Sequence, residues 1–377
     1  MEYIRTNAEV EAVAAALAAA PLFAADTEAA GYHRYHDRVC LLQLSTRDRT
    51  FIVDTLAADD LSPLSPLFAS TAHEVVLHDA DYDLRLLARD YEIRVGGLFD
   101  TKLAAQLVGD TAFGLGALVE KYVGLKLDKK HQRADWAQRP LPAEMIAYAA
   151  EDTRHLPELR DLLKAELERL GRWHWAVEEF ELREHTRWDR TGDEPEPFMK
   201  VKNTRDLVPR QMAALRELYA WREEVARRRD VATFRVVGNE ILIAVARALP
   251  RTERELAALQ GVPGSIADRF GSEMAAAVGR ALGLDESELP QRPRGPRRPP
   301  PDPEFEETVE RLKKARDAAA DELVLDRGFL MPRQQLEAVA RLRPKKLEDL
   351  LEVPDMRRWQ VEAVGEWLLK ALKRAGG

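Results

Sequence analysis

At 377 residues the chain is long enough for two or three domains. Its 45% hydrophobic and 32% charged residues exclude a disordered or fibrous protein, and no apolar run reaches the roughly eighteen residues that a membrane helix needs. A net charge of −8 argues against nucleic-acid binding only until the chain is divided: residues 201–377 carry 33 Lys+Arg against 29 Asp+Glu, leaving 24 against 36 for residues 1–200. An acidic half that calls for cations stands beside a mildly basic half able to hold phosphate. The opening Met1 to Val10 lacks the apolar stretch of a secretion signal, so a cytoplasmic protein is expected. The single cysteine, Cys40, lies in an apolar run and reads as packed core; no disulfide within the chain is possible.

In chain order, residues 8–19 with Val10, Val13 and Leu17 predict a helix. Leu22 to Ala25 then predict a buried strand that runs into Asp26-Thr27-Glu28. Residues two apart in a strand share a face, so Asp26 and Glu28 project together, and two anions so placed call for a divalent cation. Arg38 to Ser45 and Thr50 to Asp54 predict two more strands, giving an antiparallel meander. After them come a strand at Glu74 to His78 and helices at Asp81 to Asp90, Thr101 to Gly109 and Leu115 to Gly124. Strands first as a meander and then alternating with helices imply a mixed sheet flanked by helices.

Two further stretches carry acids. Leu77 to Leu84 places Asp79, Asp81 and Asp83 where a strand gives way to a helix, and Asp79 or Asp81 is expected to cap that helix. Helix from Pro142 to about Leu170 places Tyr148 and Asp152 one turn apart on one face. Asp26, Glu28, Asp83 and Asp152 are thus four acids on three elements, an all-oxygen set that suits two magnesium or manganese ions.

The order DTE, then His78 to Leu84 as H-x-x-x-x-DL, then Tyr148 to Asp152 as Y-x-x-x-D, resembles the tyrosine-containing DEDD exonucleases of ribonuclease H-like fold. Within them the strings Phe99 to Gly109, Gly114 to Gly124 and Leu127 to Leu141 resemble the ribonuclease D subfamily. The resemblance covers about residues 20–165. It implies that Asp26, Glu28, Asp83 and Asp152 hold the metal ions and that Tyr148 orients the attacking water, and it adds His78 and Lys129 as nucleic-acid-binding candidates. Two departures stand out. Ala29 and Ala30 follow DTE where the family carries a bulky apolar residue, leaving Tyr32 or Tyr35 to supply a stacking face. Asp79 and Asp81 are additional acids. His33 and His36 read as loop residues.

Trp173, Trp175 and Trp188 are expected to pack a connecting segment onto the first domain, and Thr191 to Pro197 reads as an acidic loop. From Arg205 onward helical periodicity dominates, interrupted by the Pro/Arg-rich spacer Pro290 to Pro303. Across it Val245-Ala246-Arg247 recurs as Val339-Ala340-Arg341, Pro250 as Pro344 and Leu256 as Leu350, a duplication. Both copies resemble the helical nucleic-acid-binding module called HRDC, the second in degenerate form. Candidate phosphate contacts are Arg222, Arg227, Arg228, Arg229 and Arg235, with Arg341, Arg343, Lys345 and Lys346 in the second copy.

The expected organisation is an α/β exonuclease domain with its connecting segment at 1–200, HRDC domains at 205–285 and 306–377, and a linker at 286–305. The expected reaction is metal-dependent hydrolysis of single-stranded 3′ ends of RNA to nucleoside 5′-monophosphates, in processing of tRNA and other stable RNA precursors. No membrane and no obligatory protein partner is expected. A 3′-to-5′ DNA exonuclease and a nucleic-acid-binding scaffold with a vestigial site are the alternatives.

Overall fold

The computed structural model describes residues 1–128, 130–187, 196–292 and 302–373. Among these residues six strands form one sheet: β1 (Glu2–Ile4), β2 (Leu22–Ala29), β3 (Val39–Ser45), β4 (Thr50–Asp54), β5 (Glu74–Leu77) and β6 (Leu98–Asp100), in the order β1-β4-β3-β2-β5-β6. The meander β2-β3-β4 is antiparallel as the sequence suggests, and β5, β6 and β1 add parallel pairings. Strands β1 and β6 escape the sequence reading because three residues show no periodicity.

The first four residues of β2 are buried and its last four are partly exposed, so the strand carries Asp26 and Glu28 out of the core to its edge. Around the sheet stand α1 (Asn7–Ala18), α2 (Ser65–Ala69), α3 (Asp81–Tyr91), α4 (Thr101–Val108), α5 (Leu115–Tyr122), α6 (Ala143–Arg154), α7 (Leu156–Arg169) and α8 (Trp173–Glu184). The helix expected to continue to Leu170 is two helices. Pro157 lacks an N–H and its ring crowds the carbonyl four residues back, so the chain breaks at His155 and restarts with proline in the first turn. Helix α6 lies over β2, β3 and β4, where Leu41, Ile52, Ala149 and Ala150 share a small core and the Ser45 hydroxyl meets that of Thr153 at 2.8 Å. Leu42 and Leu44 alternate with these β3 residues, face the other way and join the main core.

The rest is helical and duplicated. In the first copy stand α9 (Pro209–Arg229), α10 (Thr233–Val236), α11 (Asn239–Ala248), α12 (Glu253–Ala257) and α13 (Gly264–Leu282). In the second, α14 (Pro303–Leu323), α15 (Arg327–Leu330) and α16 (Arg333–Leu342) repeat α9 to α11, a 3₁₀ turn at Leu347–Glu352 takes the place of α12, and α17 (Arg358–Lys373) that of α13. Even a buried cation repeats: Arg222 donates to the Val237 carbonyl, and Arg316 to that of Met331.

The two copies attach differently. The first has its own core, centred on Leu215, Leu218, Leu242, Val245 and Met274, and meets the sheet domain through Ala232 N–H to the His33 carbonyl and Arg235 to that of Tyr32. In the second, Val309, Leu312, Leu336 and Trp359 belong to the same continuous core as the sheet. Trp359, fully enclosed, stacks on Trp175 of α8 with ring centroids 5.4 Å apart and donates its indole N–H to Glu179. Glu178 accepts the backbone N–H groups of Arg358 and Trp359, and Arg172 bridges the carbonyls of Leu107 and Leu323. Trp173 packs on Phe99 and Phe180, whereas Trp188 lies outside the described residues.

Trp359→Ala should therefore destabilise the sheet domain together with the second helical copy, by about 3–5 kcal/mol. Thermal melting monitored in both regions would check this; a loss confined to the helical copy would show that the two do not share a core.

Candidate active site

Three elements meet at the carboxyl end of β2. One carboxylate oxygen each from Asp26, Glu28 and Asp152 lies within 4.8 Å of the others, the first two from the strand and the third from α6 above it. Asp83, in the first turn of α3 and 7% exposed, stands alongside: its Oδ1 accepts the Thr27 backbone N–H at 3.1 Å and the Thr27 hydroxyl. Thr27 thus ties the second acidic stretch to the first. Sequence reasoning passed over this residue because its side chain alternates with those of the two acids it separates.

Desolvation in the crevice, reinforced by mutual repulsion, pushes the carboxyls of Asp26 and Glu28 well above the usual range. Burial, offset in part by the Thr27 bonds, takes Asp83 to about 6; burial, with Glu151 behind it, takes Asp152 to about 7. No cation-bearing side chain is bonded to Asp26, Glu28, Asp83 or Asp152 among the described residues, and such an all-oxygen donor set fits a hard divalent cation.

Tyr148, one turn before Asp152, packs against Trp136 and edge-on against His131, with ring centroids 6.1 and 5.6 Å away. Burial and the Asp152 charge push its phenol further above its ordinary value. It therefore keeps its proton at neutral pH.

Asp79 and Asp81 prove to be neither caps nor members of the acidic cluster. Residue Ala80 takes the cap position of α3 without a side-chain bond, Asp79 pairs with Lys102 at 2.5 Å, and Asp81 is held by Arg85 and Arg183. The polar anchor here is Asp100, buried at the end of β6, which accepts the backbone N–H groups of Asp79, Ala80, Lys102 and Leu103. Its sequence signal, an aspartate between a short apolar run and a helix, is that of an N-cap.

The basic candidates divide. Arg222 is a correction: 4% exposed, it donates to Asn239 Oδ1 and the Val237 carbonyl, so it closes its own helical domain. Arg235 spans the domain boundary over the Tyr32 ring, and Arg227 pairs with Glu224 near Tyr35. Arg228 and Arg229 stand exposed at the end of α9, as do Arg341, Arg343, Lys345 and Lys346 in the second copy. His78 is bonded to the Thr101 hydroxyl at 2.9 Å, and burial lowers its pKa, so it presents a neutral imidazole. Lys129 lies outside the described residues, as do three of the four spacer arginines. Tyr35 packs against the first helical copy while Tyr32 stays half exposed beside Phe234. No described helix is long and apolar enough to cross a membrane.

Residues 1–168 match the family model of a 3′-5′ exonuclease, and residues 211–278 and 305–372 each match the HRDC domain. The chain is 31% identical to a ribonuclease D of Nitrobacter hamburgensis over 379 aligned residues, covering 99% of this chain and 95% of that protein. Among solved structures, a protein from Bifidobacterium adolescentis superposes with a TM-score of 0.82 at 27% identity, over 99% of this chain and 97% of that one. RNase D of Escherichia coli, described as an exoribonuclease involved in structured RNA processing, superposes with a TM-score of 0.71 at 27% identity, over 99% and 98%.

Because Asp83 and Asp152 rise above the unfolded carboxylate value of 3.8, the folded state holds more protons than the unfolded one between about pH 4 and 7. Their contribution to stability is complete below pH 4 and is lost as pH rises through 6 to 7. Without divalent metal, Asp152→Asn should raise the melting point at pH 8 by about 2–4 °C and leave that at pH 4 nearly unchanged. An equal shift at both pH values would show that charge repulsion is not the cause.

Proposed function

Since the chain belongs to the ribonuclease D family and is a 3′-5′ exoribonuclease, we propose that it trims single-stranded 3′ tails of structured RNAs such as tRNA precursors, releasing nucleoside 5′-monophosphates. The observation that carries this reading is the convergence of Asp26, Glu28 and Asp152 from strand and helix, with Asp83 pinned beside them by Thr27. These four residues would hold a pair of magnesium or manganese ions. When bound, such ions supply a water of lowered pKa and neutralise charge developing on the phosphate.

The protein's own groups do the positioning. Tyr148, protonated at neutral pH, serves as a hydrogen-bonding group that orients the attacking water and not as its base. Its ring is held by Trp136 and His131, which limits the directions its hydroxyl can take. The exposed guanidinium groups of Arg228 and Arg229 fit the backbone of an approaching strand, and Arg235, Arg133 and Tyr32 line the boundary that such a strand would cross.

The direct test is a 3′-tailed RNA and its DNA counterpart incubated with magnesium, manganese or EDTA. The wild type should shorten the RNA stepwise from its 3′ end only with metal, Asp26→Asn should leave it intact, and Tyr148→Phe should cut about 10²-fold more slowly at a similar KM. Preferential loss of the DNA would reassign the substrate. Separately, Arg228→Ala should weaken RNA binding at all sequences and reduce the slope of log K against log salt by about 0.7; an unaltered slope removes Arg228 from the RNA path.

A further inference from the structure

Gln43 lies in the middle of β3, directly opposite Asp26 in the antiparallel ladder with β2. Opposed residues of such a pair share a face of the sheet, with Cβ atoms about 4.5–5.5 Å apart. The Gln43 side chain thus rises beside the first acid of the active site, on the face covered by α6. The next residue on that face, Ser45, meets α6 through Thr153.

Gln43 has no solvent exposure, yet among the described residues neither its amide oxygen nor its amide nitrogen has a hydrogen-bond partner. Its cross-strand neighbour on β4 is Ile52, and Leu41 and Ala149 make the surroundings apolar. A buried amide left unbonded costs about 1–3 kcal/mol, and an apolar side chain of the same size would avoid that cost. Ser45 and Thr153, equally buried one step along the sheet, bond each other. Polar groups kept at a loss of stability cluster where function needs them.

We propose that Gln43 is a positioning residue for Asp26: when the acidic site holds its divalent cation, the Gln43 amide N–H donates to the Asp26 carboxylate and fixes the orientation in which it faces Glu28 and Asp152. The force that makes this arrangement possible is electrostatic. Without a counter-charge the acids repel one another, and a cation among them reverses that force, leaving Asp26 to settle in one orientation. A neutral donor is the right group for the purpose, because a lysine or arginine opposite Asp26 would compete with the cation for the carboxylate. The inference rests on the reading of the four acids as a metal site. It adds to that reading a residue outside the three acidic stretches.

The test is Gln43→Met, close in volume and unable to hydrogen-bond, compared with wild type by thermal melting and by calorimetric titration with manganese alone. The melting point without metal should stay the same or rise. The manganese dissociation constant should rise about tenfold or more, as is typical when a partner of a metal ligand is removed, and kcat at saturating manganese should fall. A higher melting point with an unchanged manganese constant would overturn the inference, leaving Gln43 as an unprofitable core residue. Should Gln43→Met fail to fold, Gln43→Asn keeps the amide but withdraws it by one methylene, and is judged by the same manganese constant. If wild type itself takes up no manganese, the metal-site reading fails first, whatever Gln43 does.

Discussion

Electrostatic repulsion among four carboxylates is the constraint on which the rest of this structure depends. Asp26 and Glu28 leave the core on β2, Asp152 descends from α6 and Asp83 is drawn in from α3, although desolvation and like charge oppose the gathering. What holds them there is neutral and indirect: the ladder between β2 and β3, the Thr27 bonds to Asp83, and the packing of Ala149 and Thr153 that seats α6 on the sheet. The nearby cations are committed elsewhere, Lys102 to Asp79 and Arg183 to Asp81, so neither competes for the acids with a cation from solution.

The adjoining acids show how a charge pattern can mislead when read without partners. In the sequence Asp79, Asp81 and Asp83 form one run at a strand end. In the fold they diverge, because the backbone turns through a left-handed conformation at Asp79 and Asp100 gathers the amides of that turn. Only Asp83 is directed toward β2.

Much of the fold and of the acidic site was legible in the sequence, for physical reasons that can be named. The alternation in β2 shows that Asp26 and Glu28 share a face, the four-residue spacing of Tyr148 and Asp152 puts both on one side of a helix, and the duplicated helices betray themselves through repeated apolar positions. What stayed hidden depends on partners distant in sequence. Arg222 reads like any arginine on a basic helix until the Val237 carbonyl and Asn239 Oδ1, far along the chain, enclose it. Gln43 reads as an ordinary polar residue in a strand, and Trp359 as one more apolar helix position, until β2 and α8 are set beside them.

The unequal attachment of the two helical copies changes what counts as a unit in this chain. Val309 to Val364 complete the hydrophobic core begun by β2 to α8, while the helices between them pack around a core of their own. In topological terms the second HRDC copy is built onto the exonuclease domain, and the first, with a core of its own, lies between the two in the chain. A module with an independent core can vary in length, sequence or stability while its neighbour stays folded, whereas the second copy cannot drift without loosening the catalytic domain. The two helical copies thus have opposite freedoms: one is left to adapt to what the enzyme encounters, the other is bound to the packing of the catalytic domain.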